Sequence, residues 1–373
     1  MKQTANSAKS GPAALQGLKE LYREFGYTQF KMSKFEEYDT YVQIKDFLIS
    51  DKVITFTDTN GKLLAMKPDV TVSIIKNSDD AQTFVQKVYY NENVYRVSGG
   101  AHAFKEIMQA GLECIGSIDT YNICEVIMLA VKSLEFISPN FVLDISHMGF
   151  VSGFLSAAGF TTEETAAALN AVSEKNVPEL VNVCEKKGLS KELTEKITGL
   201  VSVYGPVKDV IKKLDQLCIN DEMKAAVDTL SAVCDALTEC GLDDNVQLDF
   251  SVVNDMNYYN GIVFRGYIEG IPAGVLSGGQ YDKLMHKMGK HAEAIGFAVY
   301  LDQLERLAGG EDGFDADVLL TYDDTCTPAA VLKKAREITK AGETVLVQKN
   351  VSDKIRCRKK IVLKKGGAQV ENG

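Results

Sequence analysis

The chain has 373 residues, of which 45% are hydrophobic and 25% are charged, a composition typical of a globular protein large enough for more than one domain. Its formal net charge of −10 argues against a broad nucleic-acid-binding surface, because such surfaces depend on clustered Lys and Arg. The sequence has no signal-like apolar segment at its start and no apolar run of membrane-spanning length. We therefore expect neither nucleic acid nor a membrane as a partner.

Cysteine and histidine usage predicts a reduced protein without a metal. The cysteines are Cys114, Cys124, Cys184, Cys218, Cys234, Cys240, Cys326 and Cys357, and the histidines are His102, His147, His286 and His291. They include no C-x-x-C pair and no metal-ligand spacing. We expect free thiols, a cytoplasmic location and no cofactor.

The first third of the chain mixes helix and strand patterns. Residues 13–25 carry leucines at helical spacing and are followed by Gly26, which predicts a helix with a glycine cap. Residues 53–66 predict a hairpin around an Asn60-Gly61 turn. Residues 88–95 and 106–115 are rich in β-branched and aromatic residues, which predicts two strands. A helix is predicted next, at 122–134.

From about residue 150 to about residue 242 the pattern is helical. Ala, Leu, Glu and Lys dominate, and helix start signals recur, such as the capping box of Thr161 and Glu164 and the N-caps Ser190 and Asn220. Strand patterns return afterwards, at 246–250, 261–267 and 275–276. A small β-α-β unit is predicted from the strand, helix and strand patterns at 318–321, 328–341 and 344–347.

Two pairs of polar residues have spacings that indicate a shared face. Asp69 and Thr71 are two apart, so an extended segment would place both on one side. Gln109 and Glu113 are four apart on a predicted strand and also share a face. From the spacings alone, a turn at Asp69 and Thr71 and the solvent-facing side of an antiparallel strand at Gln109 and Glu113 are favoured over a ligand pocket.

Five short motifs carry a family resemblance. In chain order they are Lys67-Pro68-Asp69-Val70-Thr71, Gln109-Ala110-Gly111-Leu112-Glu113, Tyr258-Tyr259, Gly278-Gly279-Gln280-Tyr281-Asp282 and Ala294-Ile295-Gly296-Phe297-Ala298. In this order they resemble the active-site segments of the class II aminoacyl-tRNA synthetases, and of the histidyl branch in particular. The resemblance covers roughly residues 13–147 and 246–310.

The resemblance implies a histidine pocket. Histidine offers an ammonium, a carboxylate and an imidazole, so its pocket needs carboxylates, hydrogen-bonding side chains and a group that binds the carboxylate. By resemblance, Asp69 and Thr71 contact the ligand amine, Gln109 and Glu113 face the histidine, and Arg96 matches the arginine that meets the α-phosphate in synthetases. The implied histidine-binding residues are Asp69, Thr71, Arg96, Gln109, Glu113, Tyr258, Tyr259 and Tyr281.

Several charges expected of a working synthetase are missing. Asn254, Gln280 and Gln303 stand where the family pattern has arginine, and Ser98 stands where it has an acidic residue. Adenylate formation brings a carboxylate against a triphosphate, so it needs fixed positive charge that a neutral amide cannot supply. We therefore expect no catalytic residues in this chain.

The Lys-Pro-Asp-x-Thr form of the first motif and the shortened C-terminal segment resemble the regulatory subunits of ATP phosphoribosyltransferase. This resemblance implies an α+β fold, with a class II synthetase-like antiparallel sheet flanked by helices, a helical insertion and a small C-terminal β-α-β unit. It implies a homodimer within a hetero-oligomer, formed with the short-form ATP phosphoribosyltransferase catalytic subunit, and histidine as feedback inhibitor at the first step of histidine biosynthesis.

Two other functions stay open at this point. One is a divergent histidyl-tRNA synthetase, which would be an enzyme. The other is a synthetase-like amino-acid-binding module with a different partner.

The expected division of the chain is a first core segment at 1–147, a helical insertion at 148–245, a second core segment at 246–312 and a small C-terminal α/β unit at 313–373. The last unit carries a basic run, formed by Lys354, Arg356, Arg358, Lys359, Lys360, Lys364 and Lys365. We interpret this run as an edge strand protected by charge, with RNA contact as the alternative.

Overall fold

The computed structural model describes residues 11–44, 47, 53–80, 83–97, 104–252, 258–308, 314–349, 355–364 and 367–371. The chain divides into two compact units, one ending at Leu307 and the other beginning at Ala308. In these described ranges, no helix has both the length and the apolar character needed to cross a membrane.

The first unit contains two sheets. Its strands are β1 (Thr28–Gln29), β2 (Phe35–Glu37), β3 (Thr55–Thr57), β4 (Leu63–Met66), β5 (Val85–Val97), β6 (Phe104–Gly116), β7 (Phe141–His147), β8 (Tyr204–Pro206), β9 (Val246–Asp249), β10 (Ile262–Ile268), β11 (Leu276–Gln280) and β12 (Glu293–Tyr300). Among the described residues, nine of these strands form the main sheet, in the order β1-β5-β6-β12-β11-β10-β7-β9-β8. The others form a small sheet in the order β2-β4-β3, which contains the predicted hairpin.

Most neighbouring strands of the main sheet are antiparallel, as the synthetase-like fold predicts. Only the β1–β5 and β7–β9 pairs are parallel within the described sheet. The long β5–β6 hairpin pairs Val88 with Glu113 and Glu92 with Gln109, and β12 follows on the other side of β6. This order brings together strands that are far apart in the sequence.

The helices of the first unit are α1 (Gly11–Glu24), α2 (Asp39–Val42), α3 (Val70–Asn77), α4 (Thr120–Ile137), α5 (Met148–Ala158), α6 (Thr162–Ser173), α7 (Val177–Lys187), α8 (Lys191–Val201), α9 (Val207–Leu217), α10 (Asp221–Glu239), α11 (Asp282–Lys287) and α12 (Leu301–Ala308). Local signals set many of their ends. Gly26 adopts a φ of +81° after α1, and Ser190 and Asn220 cap α8 and α10 as predicted. The capping box of Thr161 and Glu164 is also confirmed. The division of this unit into two core segments and an insertion remains a proposal.

The main sheet has a helix-covered face and a second face that carries polar side chains. On the first face, α4 packs against α1 and α10, and Leu112 of β6 is fully buried among apolar residues. Burying a side chain of this size contributes about 1.5–3 kcal/mol to stability. Alternation along β6 turns Gln109 and Glu113 to the other face, where α3 and α11 contribute to a second apolar cluster.

The second unit consists of β13 (Ala316–Tyr322), α13 (Pro328–Lys340), β14 (Val345–Gln348), β15 (Cys357–Lys364) and β16 (Gly367–Glu371). β13 and β14 are parallel, which confirms the predicted β-α-β unit. Thr327 caps α13, with Pro328 in its first turn.

The prediction of a basic edge strand is wrong. The strand order is β14-β13-β15-β16, so β15, which holds most of the basic run, lies between two other strands. Lys359 pairs with Glu343 at 2.6 Å, and Arg358 lies 3.6 Å from Asp317. Much of the charge is therefore used inside the unit. Lys354 and Lys365 lie outside the described residues.

Candidate functional site

A cavity of about 400 Å³ opens on the polar face of the main sheet. Strands β6, β10, β11 and β12 contribute side chains to its floor, and the start of α3 lines one side. The volume falls within the range of small-molecule sites.

Glu113 lies on the cavity floor and is only 2% exposed. The hydroxyl groups of Thr71 and Tyr281 each donate a 2.7 Å hydrogen bond, one to each carboxyl oxygen of Glu113. Gly296 faces Glu113 from β12, and a Cβ there would come within 1.8 Å of Glu113 Oε2. This placement of the carboxyl group therefore requires glycine at position 296.

Burial raises the pKa of Glu113 from 4.5 to about 8, even though the two hydroxyl donors lower it. The negative charge of Asp69 raises it further. At neutral pH Glu113 is therefore mainly the neutral acid. A cationic ligand group beside it would favour the carboxylate form, because an opposite charge stabilises the ionised state.

Asp69 is the N-cap of α3, with its side chain accepting a hydrogen bond of 3.2 Å from the backbone N–H of Val72. Our prediction of an extended segment through Thr71 is wrong, because Thr71 lies in the first turn of this helix. The cap nevertheless leaves Asp69 and Thr71 on the same cavity wall. Asp69 thus both stabilises the helix and presents a carboxylate to the cavity.

Arg96 is held in place by groups near Asp69. Its Nε donates to the carbonyl oxygen of Pro68 at 2.9 Å, and its terminal nitrogen lies 3.7 Å from Asp69 Oδ2. The guanidinium therefore has a fixed position at the cavity wall, with part of its charge balanced by Asp69.

Two buried tyrosines, Tyr258 and Tyr281, and the partly buried Tyr259 add polar groups on rigid rings. The ring centroid of Tyr258 lies 4.7 Å from that of Tyr259 and 6.1 Å from that of Tyr281. Burial raises the pKa of all three phenols, so they remain neutral hydrogen-bonding groups. They contact one another as a cluster rather than as isolated side chains.

All eight residues of the predicted set line this one cavity, namely Asp69, Thr71, Arg96, Gln109, Glu113, Tyr258, Tyr259 and Tyr281. Gln109 is 3% exposed, so the alternative of a solvent-facing strand surface at Gln109 and Glu113 is wrong. Contact of these side chains with a ligand stays a proposal.

The cavity also contains polar residues that sequence reasoning missed, Arg265, Ser277 and Tyr300. The signal for Arg265 was present, because it is a single charge in an otherwise apolar strand, two residues after Val263. Strand alternation places both side chains on the same face. Ser277 and Tyr300 carried no comparable signal.

Gln280 and Gln303, which stand where the synthetase pattern has arginine, form hydrogen bonds within the protein. The side-chain oxygen of Gln280 accepts a hydrogen bond of 2.9 Å from the backbone N–H of Ile262. Gln303 donates to Asp302 at 3.0 Å, and Asp302 also binds Lys105 at 2.7 Å. These two amides therefore supply no positive charge. Asn254, Ser98 and His102 lie outside the described residues.

Acidic, cysteine and histidine side chains do not gather into any metal-binding group of three or more in the described part of the chain. All eight cysteines are described, and each is a free thiol.

Comparison with known proteins supplies the family. The family model described as Histidyl-tRNA synthetase matches residues 5–304. A protein of Oceanobacillus iheyensis named ATP phosphoribosyltransferase regulatory subunit is 30% identical over 331 residues, covering 87% of this chain and 81% of that protein.

Two solved structures share the fold. One is described as an ATP phosphoribosyltransferase regulatory subunit/histidyl-tRNA synthetase from Bacillus halodurans, with a TM-score of 0.76, 24% identity and 95% of each chain covered. The other is an ATP phosphoribosyl transferase complex from Thermotoga maritima, with a TM-score of 0.61, 18% identity and coverage of 77% of this chain and 96% of that chain. The chain belongs to the histidyl-tRNA synthetase family and, within it, to the ATP phosphoribosyltransferase regulatory subunits.

Proposed function

We propose that this chain is a non-catalytic, histidine-sensing regulatory subunit that assembles with the short-form ATP phosphoribosyltransferase catalytic subunit at the first step of histidine biosynthesis. The observation that carries the proposal is a buried carboxyl group, Glu113, held by Thr71 and Tyr281 in a cavity that also contains Asp69. The names of the relatives supply the enzyme that is regulated.

The cavity chemistry suits histidine. Asp69 and Glu113 can bind the ammonium and an imidazole N–H, since a carboxylate accepts hydrogen bonds from both. Gln109 and Tyr259 lie in the same cavity and can complete the hydrogen bonding of the ligand. An amino acid without a polar ring would leave a buried group unpaired, at a penalty of about 1–3 kcal/mol.

Two positions that carry arginine in the synthetase pattern lack the positive charge that adenylate formation needs. A triphosphate beside a carboxylate needs several fixed positive charges. Gln280 is a neutral amide bound to Ile262, and Gln303 is a neutral amide bound to Asp302. A sensor needs a pocket that binds an amino acid and does not convert it to an adenylate.

Exposed apolar side chains support a role in an assembly. Phe35, Phe56 and Leu63 of the small sheet are 47%, 39% and 48% exposed, and the two phenylalanine rings are 5.5 Å apart. Apolar surface of this kind is typical of protein interfaces. We propose a homodimer within the hetero-oligomer, located in the cytoplasm, where free thiols persist.

The test mixes this chain with a short-form ATP phosphoribosyltransferase of the same organism and follows phosphoribosyl-ATP formation. The two proteins should co-elute, and histidine should inhibit the complex. Asp69→Ala and Glu113→Ala should raise the inhibitory histidine concentration by about 5- to 150-fold without preventing assembly, because losing a buried polar partner costs about 1–3 kcal/mol of binding free energy. The exposed Glu222→Ala variant on α10 is the matched control and should behave as wild type.

Separate elution together with activity that does not respond to this chain would refute the regulatory function. Histidine-dependent pyrophosphate exchange by the isolated chain would refute its non-catalytic nature.

A further inference from the structure

Arg265 is a charged side chain in the cavity without a partner. It lies in the middle of β10 and lines the cavity, yet no hydrogen bond or ion pair joins it to another residue in the described ranges. Arg96, the other cavity arginine, already binds Pro68 and lies beside Asp69. A half-buried guanidinium with unused donors is a binding group for an anion.

Strand register places Arg265 across the cavity from Glu113. Arg265 pairs with Ser277, Ser277 pairs with Ala298, and Ala298 pairs with Gly111 of β6, two residues from Glu113. Three strand spacings separate β10 from β6, which is about 14 Å between their backbones. Side chains that extend from both strands leave a gap suited to a small zwitterion, with Glu113 at one end and Arg265 at the other.

Tyr300 shows that both guanidiniums act on the same part of the cavity. Burial raises the pKa of Tyr300, the charge of Arg96 lowers it, the charge of Asp69 raises it, and the charge of Arg265 lowers it. The Tyr300 hydroxyl is therefore close enough to each arginine for an electrostatic interaction with it. Ser277 lines the same part of the cavity and can add a hydroxyl donor.

The stem of Arg265 packs against a glycine. A Cβ at Gly274 would come within 2.8 Å of Arg265 Nε and 3.2 Å of its Cγ. A larger residue at position 274 would displace the arginine, so the local chain leaves room for this side chain.

We propose that Arg265 binds the α-carboxylate of the amino-acid ligand, across the cavity from Glu113. This inference rests on the proposed histidine-sensing function and adds the residue that recognises the anionic end of the ligand. Arg265 supplies a positive charge at the floor of the cavity. Gln280 supplies none, because it is a neutral amide bound to the backbone of Ile262.

The test compares L-histidine with L-histidinamide, which keeps the amine and the imidazole and lacks the carboxylate. Calorimetry is performed on the full-length wild type, Arg265→Gln, Arg265→Lys and Arg336→Gln, an exposed arginine on α13 that serves as control. Wild type and the control should prefer histidine by about 10- to 100-fold, the range for a charge-assisted hydrogen bond. Arg265→Gln should reduce this preference to about onefold without changing histidinamide affinity, and Arg265→Lys should keep part of it.

An unchanged preference in Arg265→Gln, or an equal loss for both ligands, overturns the inference and leaves histidine sensing intact. Wild-type protein that binds neither ligand overturns histidine sensing and this inference together. Competition by inorganic phosphate that depends on Arg265, with the preference unchanged, would assign the arginine to a phosphate group instead. Thermal denaturation verifies that each variant is folded, and Arg265→Lys provides the test if the glutamine variant is not.

Discussion

Replacing Glu113 by Gln is expected to stabilise the protein at neutral and alkaline pH. The folded protein holds the Glu113 proton up to a pKa of about 8, whereas the reference value is 4.5. The carboxyl group therefore lowers the free energy of unfolding as pH rises between these values, because the unfolded chain releases the proton first. At about 1.36 kcal/mol per pH unit, the loss is about 3 kcal/mol at pH 7 and about 5 kcal/mol above pH 8.

Glutamine has no proton to lose in this pH range, so the free energy of unfolding of the variant does not fall in this way as pH rises. One of the hydrogen bonds from Thr71 and Tyr281 is weakened in exchange, which costs about 1 kcal/mol. The expected net gain is about 2 kcal/mol at pH 7 and about 4 kcal/mol above pH 8, with no gain below pH 4.5.

Urea unfolding followed by circular dichroism at pH 4.5, 7 and 8.5 measures this difference between wild type and Glu113→Gln. Glu125→Gln is the matched control, since Glu125 binds Lys87 at 2.6 Å and has a side chain only 3% exposed. That substitution leaves an ammonium group unpaired and should lower the free energy of unfolding by about 3 kcal/mol. A Glu113→Gln variant less stable than wild type at pH 8.5, or a difference independent of pH, would refute the assignment of a neutral buried acid.

Three further outcomes are expected. Asp69→Asn should weaken histidine binding, measured by calorimetry, while keeping the helix cap. Asp69→Ala should weaken binding and also lower the free energy of unfolding by about 1 kcal/mol, measured by urea titration. Gly296→Ala should abolish histidine binding and destabilise the protein, because its Cβ would lie 1.8 Å from Glu113 Oε2; full binding in calorimetry would contradict the geometry. Histidine binding at pH 7 should release a proton from Glu113, seen as a dependence of the calorimetric enthalpy on the buffer ionisation enthalpy, and this dependence should be absent in Glu113→Gln.

The parts of the fold that sequence reasoning predicted well depend on local chemistry. The capping box of Thr161 and Glu164 satisfies the backbone donors of its own helix, and the Asn60-Gly61 turn joins two strands that are adjacent in sequence. Such signals need no knowledge of the rest of the chain.

The errors arose where packing overrides local preference. We expected an extended segment through Asp69 and Thr71, yet Thr71 lies in α3, whose first six residues are buried. Burial on the sheet outweighs a weak propensity. Arg265 was missed for a related reason, since its place in the cavity depends on β10, β11 and β12 lying side by side with β6.

The family motifs identified the cavity because they include Glu113, a buried carboxyl group that lowers the stability of the folded protein. A buried Glu113 lowers stability at physiological pH, and a neutral residue at that position would remove the penalty. The acid is therefore best explained by a ligand whose cationic or N–H groups compensate it when bound. Gln280 differs, because its amide is satisfied by the backbone of Ile262 and needs no ligand. Glu113 thus keeps a carboxyl group whose ionised form a bound ligand would stabilise, whereas Gln280 is satisfied by the fold alone. This difference supports the proposed sensing function.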